Sequence, residues 1–122
     1  MNHTLTVSIP DKTLSPNARS HWGAKATAKK NARGEAYIIG LASDLCNQMW
    51  EIASTHVVYY HTMNRRRDAD NYLARLKSTF DGLADAGIIR NDSGFVHYPI
   101  VFKIDKENPR VEITIKHIQE NR

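Results

Sequence analysis

The stretch from Arg65 to Asp92, RRRDADNYLARLKSTFDGLADAGIIRND, decides how the chain is read. Leu73, Leu76, Phe80, Leu83 and Ala84 recur at three- and four-residue spacing, which predicts an amphipathic helix with one buried stripe. Asp68 and Asp70 stand where that helix begins, and Gly87 stands just past its end, where a glycine cap is expected. A helix here, between runs of β-branched and aromatic residues, makes the chain an α+β protein.

Working outward, Thr55 to Met63 enters the stretch as a strand rich in β-branched and aromatic residues. On the other side, Phe95 to Ile104 reads as a strand in which Pro99 cannot donate to a ladder, so an edge or a bulge is expected there. Asn108-Pro109 marks a turn, and Val111, Ile113 and Ile115 alternate with Glu112, Thr114 and Lys116 as a last strand, expected to pair with the preceding one as a hairpin. Near the N-terminus, Leu5, Val7 and Ile9 alternate with Thr6 and Ser8 until Pro10 ends a first strand. Between the first two strands a helical pattern runs from Gly23 to Trp50. Ile38, Leu41, Ala42, Leu45 and Met49 form its expected core-facing stripe, Lys25, Lys29 and Arg33 form a basic ridge, and Gly34 and Gly40 are places for a break. The expected architecture is one domain over residues 1–122, in the order β-α-β-α-β-β. It is a single mixed β-sheet of about four strands with two main helices packed on one face. The other face is either solvated or covered by a second copy. Tyr59, Tyr60, Tyr98 and Phe102 either supply that contact or fill the core.

The 122 residues are 41% hydrophobic and 25% charged, a composition that excludes wholesale disorder. A net charge of +4 favours polyanionic partners, and the distribution of charge says more than the total. Arg19, Lys25, Lys29, Lys30 and Arg33 occur with no acid among them, and Arg65, Arg66 and Arg67 form a second cluster. Each cluster is open to two readings, a phosphate-binding surface or a solvated basic face. Cys46 is the sole cysteine, so no internal disulfide can form and a reducing, cytoplasmic setting is expected. MNHTLTVSIP lacks the features of a signal peptide, and no run approaches the ~20 apolar residues of a membrane span, so no membrane partner is expected.

In an extended segment Asp68 and Asp70 point the same way, and two such carboxylates repel unless a cation lies between them. Magnesium, which takes one or two carboxylates together with water and phosphate, suits that position; so does simple helix capping. On the following helix Lys77 lies ~20° from the line of Asp70 and can reach back toward it over ~10 Å of rise, unless it pairs with Asp81 instead. Asp92 follows Gly87 by five residues, an extended return of ~17 Å that brings it toward Lys77, although Asn91-Asp92-Ser93-Gly94 is also ordinary turn composition. If these groups converge, they suit phosphodiester hydrolysis. Asp70, Asp92 and Asp68 would hold a metal that generates the attacking hydroxide, and Lys77 would stabilise the charge that develops on phosphate. Arg19, Lys25, Lys29, Arg33, Arg65, Arg66 and Arg67 would hold the DNA backbone without reading base sequence. His61 is read either as a proton shuttle or as a hydrogen-bonded strand residue. Trp22, with His21 and Arg19, either stacks on exposed bases or packs like any tryptophan. Without catalysis, the same residues describe a non-catalytic DNA-binding module or a small structural dimer.

Two stretches, RRRDADNYLARLKSTFDGLADAGIIRNDS at 65 to 93 and SPNARSHWGAKATAKKNAR at 15 to 33, resemble the RusA-type crossover junction endodeoxyribonucleases common in phages and prophages. The resemblance implies a magnesium-dependent homodimer, with manganese as the alternative ion, that resolves four-way (Holliday) DNA junctions by paired symmetric nicks in recombination and repair. By position, Asp68, Asp70 and Asp92 match the family's metal-binding acids, and Lys77 matches its catalytic lysine. The prototype spacing places that lysine at the position of Ala74, so the chain reads as carrying three inserted residues before Lys77. Asn91 stands where a second acid is common.

Overall fold

Two-residue alternation puts Leu5, Val7, Val57, Tyr59, Val111, Ile113 and Ile115 on one buried face of a sheet, and three helices cover that face. The structure, a computed structural model, describes residues 3–16, 18, 19, 21–64 and 67–119. In chain order it contains β1 (His3–Val7), a 3-10 turn (Lys12–Leu14), α1 (Trp22–Leu41), β2 (Ala53–His61), α2 (Ala69–Arg75), α3 (Lys77–Asp85), a second 3-10 turn (Asp92–Gly94), β3 (Phe95–His97), β4 (Val101–Ile104) and β5 (Arg110–His117). The fold is α+β with one mixed sheet of five strands, as the pattern predicts apart from the strand count.

The extra strand has a local cause. Residues 95–104 pair with β2 in parallel as two pieces, Ala53 to Thr55 opposite Phe95 to His97 and Val58 to His61 opposite Val101 to Ile104. The interruption contains Pro99, which has no N–H to give the ladder. The expected hairpin between the last two strands does not form. β5 lies between β1 and β2 and is antiparallel to both, with Ile113 opposite Leu5 on one side and Val57 on the other. A hairpin with β4 would have left β5 near an edge. In the middle of the sheet Val111, Ile113 and Ile115 are completely buried, and each such side chain contributes roughly 1.5–3 kcal/mol.

The second predicted helix is two helices. Leu76, fully buried with φ −89° and ψ 1°, ends α2 and precedes α3. By contrast α1 runs unbroken through Gly34 and Gly40. Gly40 lies against Ala86, and a Cβ on Gly82 would run into the carbonyl oxygen of Arg33, so α1 and α3 approach through small residues. That close approach turns the buried face of α1 onto Ala36 and Gly40, which corrects the expected stripe. Ile38 is 67% exposed, Leu41 and Met49 are also exposed, and of the stripe only Leu45 is fully buried. The helix ends at Leu41, and the left-handed Asn47 (φ 61°) and Met49 (φ 52°) break the periodicity that linked positions 41, 45 and 49.

Among the four aromatic residues with two readings, Tyr59 is buried and Phe102 packs against the core. Tyr60 and Tyr98 are on the uncovered face, Tyr60 beneath the Arg110 guanidinium at 3.9 Å and Tyr98 tilted on His56 at 4.3 Å. No helix among the described residues is long and apolar enough to cross a membrane.

Candidate active site

The site begins where β2 hands the chain to α2. Arg67 donates to the carbonyl of Met63 at 2.9 Å and to the Tyr72 hydroxyl at 3.1 Å, which ties the connection down. Arg65 and Arg66 lie outside the described residues. Tyr72 holds α2 on the sheet. Its ring stands edge-on to Tyr59 at 4.9 Å, its carbonyl accepts from the Tyr59 hydroxyl at 3.0 Å, and the Arg75 guanidinium lies 4.5 Å from its centroid. Burial pushes the pKa of the Tyr59 hydroxyl up, so it serves as a donor.

Asp68 is the N-cap of α2. Its Oδ1 accepts from the amides of Asp70 at 3.0 Å and Asn71 at 3.3 Å. Its Oδ2 accepts only a long contact, 3.4 Å, from the side-chain Nδ2 of Asn71, so capping leaves most of the capacity of that oxygen free. Asp70, in the first turn of the helix, is exposed and lines an open cleft of about 390 Å³.

The bend at Leu76 makes Lys77 the first residue of α3. Its Nζ donates to Asp81 Oδ1 at 2.9 Å and to Asp92 Oδ2 at 3.0 Å. The helical pair and the long-range pair therefore coexist. These carboxylates, Asp81 first, raise the pKa of Lys77, and the Lys77 ammonium holds Asp92 below the usual carboxylate range.

A strap beyond α3 brings Asp92 there. Gly87 takes the left-handed conformation (φ 81°), and the amides of Asn47, Met49 and Trp50 donate to the carbonyls of Ala86, Gly87 and Ile88 at 3.3, 2.8 and 3.1 Å. The Arg90 amide answers with a 2.9 Å bond to the Trp50 carbonyl. Asn91 then accepts from the Ser93 amide at 3.1 Å and opens the turn that carries Asp92, so its amide oxygen is engaged in the turn.

Asp70, Lys77 and Asp92 share the cleft with Leu73, Ala74, Phe80 and His97. His97 carries no signal in the sequence, where it is one polar residue in a short strand. β3 pairs it with Thr55, whose hydroxyl lies 2.6 Å from His97 Nδ1, and its ring packs 4.5 Å from that of Phe80. One edge of the imidazole is thus desolvated, which lowers its pKa, while the residue as a whole stays exposed to the cleft. Its Nε2 has no hydrogen-bond partner among the described residues. Only the position opposite Thr55 in the folded sheet reveals this group.

A second cleft, about 350 Å³, opens on the other side of Asp92 and is lined by Arg33, Asp81, Asp85, Arg90 and Asn91. Arg33 forms a two-point pair with Asp85 at 2.6 and 2.9 Å, and the guanidinium lowers the pKa of that carboxyl. It is therefore committed to an acid. Arg19 and Lys29 are exposed, Lys25 is half-buried, and none has an ion-pair partner among the described residues. His61 is buried beside Tyr59, Tyr72 and Phe102 and is not among the cleft-lining residues, which removes the geometric basis for a proton shuttle.

Among the described residues, no three His, Cys, Asp or Glu side chains stand close enough to enclose a metal ion. The structure therefore brings Asp70 and Asp92 to one cleft but does not gather Asp68 with them, and two cleft carboxylates are the number that magnesium uses. That ion takes one or two carboxylates and completes its shell with water and phosphate.

Fold and site together define a class: α+β proteins in which helices cover one face of a mixed sheet and an acid-and-lysine cleft opens beside the helix that follows the second strand. The family model described as endodeoxyribonuclease RusA matches residues 9–116. An uncharacterized protein of Xylella fastidiosa is 37% identical over 119 residues, a match covering 94% of this chain and 76% of that one. The chain belongs to the RusA endodeoxyribonuclease family.

Proposed function

We propose that the chain is a metal-dependent endodeoxyribonuclease that resolves four-way DNA junctions by paired, symmetric phosphodiester cleavage in recombination and repair. The observation that carries this reading is the Lys77 ammonium bridging Asp81 and Asp92 beside a cleft that Asp70 also lines. Asp70 and Asp92, joined by Oδ2 of Asp68, would hold magnesium or manganese, which when bound supplies a water of low pKa and an electrophilic phosphorus. Lys77 is fixed in advance by its two carboxylates, so its charge can meet a phosphate oxygen without reorganisation, the condition under which such a contact accelerates the reaction. His97, held by Thr55, offers Nε2 to a phosphate oxygen or to the attacking water. Arg19, Lys25 and Lys29, with Arg65 and Arg66, would hold the backbone by salt-sensitive contacts, while Arg33 and Arg67 have partners within the protein.

Paired nicks need two clefts, and a homodimer would provide them. The uncovered sheet face exposes Val96, Tyr98 and Val101 at about half of their surface, and a second copy of the chain is the proposed cover.

A synthetic four-way junction and a linear duplex of equal length, each with and without magnesium, form the test. Paired nicking of the junction, lost in Asp70→Asn while junction binding survives, is the expected result. Binding without cleavage by the wild-type protein would favour a non-catalytic DNA-binding module, in which Asp68 is only a cap and Lys77 only an ion-pair partner.

A further inference from the structure

Trp22 is 78% exposed, more than any other large apolar side chain among the described residues. Its ring partner is His21, 5.7 Å away and 26° from parallel, and His21 is itself fixed because its Nδ1 accepts from the Gly23 amide at 3.1 Å. The indole therefore has a firm backing on one side and an open surface elsewhere, and it is not a packing residue. Its surroundings are cationic: Arg19 precedes it, and Lys25 and Lys29 follow on the same helix. At 100° per residue, Trp22, Lys25, Lys29 and Arg33 fall within about 80° of arc. Arg33, at the far end of this ridge, lines the second cleft together with Asp92. The ridge thus leads from beside Asp92 to the indole, eleven residues or roughly 16 Å along α1, the span of about five stacked nucleotides at 3.4 Å each.

We propose that Trp22 is a stacking site for an unpaired DNA base on the strand whose phosphates Lys25 and Lys29 contact, about five nucleotides from the Arg33 end of the ridge, which lies across Asp92 from the Asp70–Asp92 cleft. The proposal rests on the reading of that cleft as the place of cleavage. Positive charge around an open aromatic face selects a polyanion that also carries flat rings, which single-stranded nucleic acid provides and an acidic protein surface does not. A continuous duplex offers no such base, whereas an opened junction does.

The full chain carries one other tryptophan, Trp50, half-buried and stacked on His117 at 4.9 Å, so each indole can be read alone. Trp50→Phe and Trp22→Phe proteins are titrated, without divalent metal, with a short oligothymidylate, a four-way junction and a linear duplex. The oligothymidylate and the junction should quench the emission of the Trp50→Phe protein by about half or more and leave that of the Trp22→Phe protein unchanged. Trp22→Ala should weaken binding of the oligothymidylate and the junction about tenfold and of the duplex less than about twofold. Absence of quenching, an equal loss of duplex binding, or equal quenching by polyglutamate would overturn the proposal. Because these titrations read binding alone, a protein that nicks junctions without Trp22 quenching refutes the base site only. One that quenches but never nicks refutes the cleavage reading only.

Discussion

Replacing Lys77 with methionine removes the ammonium and keeps the length of the side chain, and the structure says what should and should not change. Lys77 is 69% exposed on its side chain, so its helical pair with Asp81 stabilises the fold by only about 0.3 kcal/mol, in the weaker lysine-first order. For a chain of this size that is a shift in Tm of about 1–2 °C. Asp92 loses the neighbour that lowers its pKa most, while the Asp81 contact that also lowers it remains. A depressed carboxylate contributes stability above its unfolded pKa and loses it as pH falls through the folded value, so near pH 7.5 Asp92 stays ionised with or without Lys77. The cleft therefore keeps the Asp70 and Asp92 side chains and loses only the cation, which should leave metal affinity unchanged or tighter. Turnover should fall by ~10²–10³, the usual cost of removing one preorganised group that meets charge in the transition state. The assay is single-turnover junction cleavage across a magnesium titration, with Tm measured in parallel. A loss of activity that excess magnesium restores would refute the reasoning, because Lys77 would then be serving only to place Asp92.

Asp68→Asn keeps an N-cap of equal quality, so Tm should hold within about 2 °C, while cleavage should fall at least a hundredfold if Oδ2 serves the ion; unchanged cleavage would reduce Asp68 to a cap. Asp68→Ala should in addition lose about 1 kcal/mol of stability by thermal melting. Gly82→Ala forces a methyl group into the Arg33 carbonyl and toward Ala36, an overpacking of roughly 1–3 kcal/mol that should lower Tm by at least about 3 °C; no shift would mean that α1 and α3 separate freely. Burial lowers the pKa of His97, so the unfolded chain takes up a proton that the folded chain resists. Stability from this source is complete above about pH 6.5 and is lost as pH falls through the folded value. Melting from pH 8 to pH 5 should accordingly show a shallower decline for His97→Gln than for the wild type, and parallel curves would count against a desolvated imidazole.

Much of the site was legible because capping, pairing and spacing are local. The Asp68 cap, the Lys77–Asp81 pair four residues apart and the Gly87 cap each follow from neighbours within one turn of chain. The meeting of Lys77 with Asp92 was legible as reach, since a return strand of the right length passes the helix. Its realisation depends on the strap between Asn47–Trp50 and Ala86–Arg90, which has no sequence signature. The ridge spacing predicts Arg33 as a DNA contact, and only the docking of α1 on α3 brings Asp85 beside it.

By itself the sequence determined the buried faces of β1 and β5, the strand character of β2, the place where the second helical segment starts, the acids at that start and the family. These follow from side-chain periodicity and from residues a few positions apart. The tertiary structure alone decided that β5 lies between β1 and β2, that the second helix bends at Leu76, that α1 turns Gly40 rather than Leu41 inward, and that His97 reaches the cleft. The physical reason is that strand order and helix rotation are set by contacts between distant segments, where small residues permit close approach and burial is shared, and no single stretch of chain carries that information.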